Sequence, residues 1–86
     1  MSVEETLQQR GSVYGKFSEQ VKCVDAITNA MIDCACANGR EPSGVEMSEW
    51  HYLAIKLARI AVSPDYSDSY HDLAGYAMLM EKERKV

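Results

Sequence analysis

Residues 43–80 read "SGVEMSEWHYLAIKLARIAVSPDYSDSYHDLAGYAMLM", and this stretch decides the fold. Ser43 and Glu46 fit S-x-x-E, in which hydroxyl and carboxylate reciprocally satisfy the first amides of a helix. Met47, Trp50, Leu53, Leu57 and Ile60 then recur at helical spacing and define a helix over 45–62. Pro64 stops it, and Asp65 is placed to cap a second helix over 66–85, with Asp68 in its first turn. That helix presents Tyr66, Tyr70, Leu73, Ala77 and Met80 for burial. Joined around Pro64, the two make an antiparallel hairpin.

The register of this hairpin predicts specific neighbours. At 100° per residue, Asp68, Asp72, Gly75 and Leu79 share one side of the second helix, away from its apolar face. Tyr52, Lys56 and Arg59 form a similar stripe on the first. Antiparallel pairing sets Lys56 beside Asp72, Arg59 close to Asp68, and Tyr52 near Gly75 and Tyr76. The glycine would let a neighbouring backbone or ring come close. Such a polar cluster specifies register more reliably than it adds stability. A second reading uses the same carboxylates. Glu46 and Glu49 form E-x-x-E, and with Asp68 and Asp72 they offer four carboxylates for Mg2+. Antiparallel helices start at opposite ends, however, so one chain alone does not bring the two pairs together; a partner chain would have to.

Working outward, the preceding residues add two more helices. "SVEE" at 2–5 is another S-x-x-E start, giving a short helix over 3–9. A longer one spans 18–37, with Phe17, Val24, Ile27, Met31 and Ala35 on one stripe and Lys22, Asp25, Asn29 and Asp33 opposite. "ANGREPSG" at 37–44 is a loop by its glycine, proline and asparagine content. "RGSVYGKF" at 10–17 reads as a compact loop in which Arg10, Gly11, Tyr14 and Gly15 are the notable residues. Its spacing is not that of a phosphate-binding loop. No strand-type alternation and no internal repeat occur. The expectation is one all-α domain over 1–86, a small helical bundle of one short and three longer helices.

Composition bounds the function. The chain is 47% hydrophobic and 26% charged, with a net charge of −4, which excludes the concentrated basic face that nucleic-acid binding needs. The terminal "KERKV" is the one basic cluster, and it complements a helix C-terminus. No apolar run reaches the roughly 20 residues needed to span a membrane. The polar, acidic beginning is not that of a signal peptide, so a cytoplasmic location is expected. Cys23, Cys34 and Cys36 are an odd set that reads as free thiols, with Cys34 where a small apolar residue suits. Neither His51 nor His71 has ligand spacing to them. No nucleophile–base pair stands out either. The helix over 45–62 also carries Ile55 and Val62 off its main face. A helix apolar on more than one side is central, or is covered by a second subunit, so a homo-oligomer is expected.

Three segments together resemble a known family: "RGSVYGKF" at 10–17, "KLARI" at 56–60 and "DSYHDLAGYAML" at 68–79. They are similar to small proteins of tailed phages and prophages, of uncharacterised function, with the pattern R-G-x-x-Y-G, K-x-A-R-I and D-S-W/Y-x-D-x-A-G-Y. More distantly the chain looks like the all-α MazG-like nucleoside triphosphate pyrophosphatases. Those are helical dimers or tetramers that hold magnesium on E-E-x-x-E and E-x-x-D helices. This chain departs from that pattern, having Glu46 and Glu49 on one helix and Asp68 and Asp72 on the next. The resemblance implies a phage accessory protein that binds a host protein, acts in the host cytoplasm and has no complete catalytic set. The distant likeness implies, alternatively, a Mg2+-dependent pyrophosphatase whose site closes across subunits.

Overall fold

The computed structural model describes residues 2–84 and is all-helical, with four helices in the order α1 (Val3–Tyr14), α2 (Phe17–Ala37), α3 (Gly44–Val62) and α4 (Ser67–Arg84). The expected end of the last helix at residue 85 lies outside the described residues, as do the last two residues of "KERKV". Both S-x-x-E starts act as caps. The Ser2 hydroxyl accepts from the Glu5 N–H at 3.1 Å, and Ser43 with Glu46 closes a full capping box.

α3 lies between α2 and α4, packs on both, and keeps those two apart. The three long helices therefore form a single layer. α1 touches α2 and α3 near the layer's edge and buries no residue of its own. The core is correspondingly thin. Val24 of α2 meets Ala54 and Ala58 of α3, with Cys23, Ile27 and Ile55 partly buried around them. Ala54 is 0% and Ala58 1% exposed, and among the described residues no large side chain is fully buried. Alanines on α3 let α2 approach closely, but they leave little apolar area to remove from water.

Several expectations need correction. Residues 10–14 are not a loop: α1 continues through them to Tyr14, and the connection is only Gly15 and Lys16. A helical Gly11 costs about 1 kcal/mol against alanine. Packing of the last turn outweighs this, because Tyr14 sits against Arg59 and Tyr66 and the Ser63 hydroxyl donates to the Val13 carbonyl. Gly15 does need its special backbone, with φ +81°. Phe17 is 82% exposed rather than in the core; as the first residue of α2 it has no preceding turn of that helix to pack beside it. Cys34 is exposed, and Ala35 takes the buried position. Asp65 lies in the turn closed by the Tyr66 N–H to Ser63 carbonyl bond, one residue too early to cap α4. Tyr66, just before α4, and Tyr70 and Ala77 on it remain exposed, Leu73 and Met80 are half-buried, and Ser69 is the buried residue. A serine at the contact brings α4 close to α3, so larger neighbours stay outside it.

Candidate functional site

The polar cluster forms where α3 faces α4. Lys56 Nζ donates to Asp72 Oδ2 at 2.9 Å. The lysine is 8% exposed and its carboxylate partner lies at the surface. One long apolar stem is thus buried while its charged end reaches a single counter-ion at the rim. The Tyr52 and Tyr76 rings pack beside this pair, centroids 5.4 Å apart and planes tilted by 53°, and Lys56 Nζ lies 6.0 Å from the Tyr76 centroid. The expected Lys56–Asp72 and Tyr52–Tyr76 neighbours are both present.

Arg59 and Gly75 depart from expectation. The Arg59 guanidinium lies 4.4 Å from the Tyr14 ring centroid and forms no ion pair with Asp68. Held over an aromatic face, the guanidinium is attracted by the ring quadrupole without a carboxylate partner. Asp68 instead sits by Tyr66 and, ahead of Tyr14, pushes that hydroxyl's pKa up. Apart from its chain neighbours and its own helix backbone, no atom among the described residues comes within 4 Å of where a Cβ on Gly75 would stand, so the close approach it permits is not used there.

Three of the four carboxylates of the magnesium reading are separately engaged in ion pairs among the described residues, Asp68 being the exception. Glu46 accepts from Arg40 at 2.7 Å, Glu49 from Arg84 at 2.6 Å, and Asp72 from Lys56. Among the described residues, no three of His, Cys, Asp and Glu converge as metal ligands. Within one chain these residues therefore do not fit the ion. The Glu49–Arg84 pair shows why: the start of α3 lies beside the end of α4, away from Asp68.

The Lys56 hydrogen bond holds the Asp72 carboxyl below its usual range, and hydrogen bonds from Arg40 and then Ser43 do the same for Glu46. A carboxyl whose folded pKa is depressed stabilises the fold above its unfolded pKa, and the contribution is lost as pH falls through the folded value. Stability should therefore decline from about pH 4 downward. Asp72→Asn should make the decline shallower, modestly so because the group is exposed and screened. Urea melts at neutral and acidic pH check this; an unchanged acid slope in Asp72→Asn would remove Asp72 from the account.

A second feature adjoins the first. α1, α2 and α3 enclose an open, mainly apolar groove of about 810 Å³. Phe17, Val21, Val24 and Ile55 form its walls, with Arg10, Lys16, Arg59 and His51 around them. Gln20 holds its end together, donating to the Tyr14 carbonyl at 2.7 Å and the Ala58 carbonyl at 3.2 Å. Sequence reasoning named Arg10, Gly11, Tyr14 and Gly15 as a loop but missed the groove they border. A glutamine four residues before Val24, on the core stripe of α2, was the available signal. Cys34 and Cys36 are exposed and Cys23 is half-buried. A thiol reagent should modify the first two quickly and Cys23 slowly, and chelators should leave the melting temperature unchanged. Stoichiometric zinc in metal analysis would contradict this.

No helix among the described residues is long and apolar enough to cross a membrane. Comparison with curated proteins and with solved structures returns no match. One family model does match, over residues 2–84 and so across every helix described above. The chain belongs to that family, the Domain of unknown function (DUF6378).

Proposed function

We propose that this protein is a phage or prophage accessory protein that acts by protein binding, as a homo-oligomer in the host cytoplasm. The observation that carries this reading is the open layer. α3 packs on both α2 and α4, no large side chain among the described residues is fully buried, and apolar groups such as Leu7, Val21, Leu57, Met78 and Leu79 stand exposed. Exposed apolar surface on this scale is characteristic of proteins whose surface is covered by others. The motif resemblance at 10–17, 56–60 and 68–79 supports the phage setting. The engaged state of Glu46, Glu49 and Asp72 supports binding over hydrolysis.

The test combines tagged capture of host proteins with a nucleotide hydrolysis screen in magnesium. The reading expects one host protein retained stoichiometrically through purification, with no hydrolysis above background. Magnesium-dependent release of pyrophosphate that disappears in Asp68→Ala would overturn it in favour of a MazG-like pyrophosphatase closed across subunits.

A further inference from the structure

The groove has a wall chemistry that the chain's own fold does not answer. Arg10, Lys16 and Arg59 line it, three of the nine lysines and arginines, against Asp25 alone of the thirteen acidic residues. None of the three cations has a carboxylate within 4.0 Å among the described residues. In a chain of net charge −4 this is a local cationic site with apolar walls. Its natural occupant is apolar and acidic.

α4 carries such a surface. Asp68, Gly75 and Leu79 share one stripe at helical spacing, with Met78 beside it. Leu79 is 61% and Met78 69% exposed, and Asp68 has no cation within 4.0 Å among the described residues. Gly75 lowers the stability of its own helix and, among the described residues, meets nothing beyond it. A glycine that the chain itself does not use is accounted for if another helix or backbone packs there.

Groove and stripe also match in place and length. The Lys56–Asp72 bond sets α4 against α3, which brings Asp68 level with Ile60 and Leu79 level with Glu49. The Gln20–Ala58 bond sets α2 against α3, which brings Phe17 level with Ala61 and Thr28 level with Trp50. The groove along Phe17–Thr28 and the stripe along Asp68–Leu79 thus occupy the same levels, each about 16 Å long. They lie on opposite flanks of α3 but toward one face of the layer. Arg59 lines the groove, Lys56 three residues earlier meets Asp72, and Gly75 is three residues beyond Asp72.

We propose that the groove is filled by α4 of a second copy of this chain. A two-fold axis running alongside α3 carries each copy's stripe onto the other's groove, so the same contact forms twice. Levels are preserved by that axis. Asp68 of the second copy therefore arrives at the end where Lys16 and Arg59 lie, and its Leu79 arrives near Thr28 and His51. Gly75 lets the docked helix seat deeply. This rests on the self-association proposed above and names the surfaces that perform it.

Sedimentation equilibrium on the full chain tests the pairing. Gly75→Gln has open space within its own subunit and a better helix former, so helicity should hold while the dimer dissociation constant rises about tenfold or more. Lys16→Glu and Asp68→Lys should each weaken the dimer, and the two together should recover most of the loss. If the parent dimerises but Gly75→Gln dimerises equally well, or the charge changes fail to compensate, the pairing is wrong and self-association stands. A parent that stays monomeric removes both.

Discussion

Ala54→Leu is expected to lower the melting temperature by roughly 5–15 °C, the range for overpacking a closed site in a domain of this size. Ala54 of α3 is 0% exposed and packs in the core with Val24 of α2. The helices must separate to accept it, and the core is too thin to absorb the shift. Ala61→Leu makes the same change on the exposed side of α3 and should move the melting temperature by no more than a degree or two. Equal effects from the two variants would mean that the α2–α3 contact is not the closest packing in the protein.

The second large effect concerns Lys56 and Asp72. Asp72→Ala leaves a buried ammonium without its counter-ion and should lower the melting temperature by roughly 5 °C. Lys56→Met keeps the apolar stem and drops the charge. Added to Asp72→Ala, it should recover part of the loss, giving a coupling energy in a double-mutant cycle. A magnesium ligand would behave in the opposite way. Removing it from a carboxylate cluster relieves repulsion, so the metal-free variant would gain stability and stabilisation by magnesium would vanish. Melting curves of the parent and Asp72→Ala, with and without magnesium, separate these outcomes. A parent that melts higher with magnesium, with a variant that gains stability in its absence, would contradict the ion-pair account.

Lys56–Asp72 was legible because helical periodicity and a turn at Pro64 fix both residues' faces and their level. The same reasoning placed Tyr52 beside Tyr76. It failed for Arg59 because a long side chain chooses among partners: Tyr14 lay outside the hairpin, on a helix that the sequence reading ended at residue 9. That error had one source. Gly11 and Gly15 look equivalent in "RGSVYGKF", yet only Gly15 has positive φ. Tertiary contacts of Tyr14 and Val13 decide between them, and local sequence does not contain those contacts. The exposure of Phe17 and Cys34 follows the same logic. A stripe predicts the side a residue lies on, while how closely a neighbouring element approaches at that point decides whether anything covers it: Ala35 is buried and Cys34 beside it is not.

The thin core and the exposed apolar flanks of the described helices are the features on which the proposed self-association rests. Light scattering across micromolar concentrations tests it most directly. The account predicts a particle of about twice the 9.6 kDa chain mass or more, growing in population with concentration. A single species at the chain mass throughout that range would contradict it.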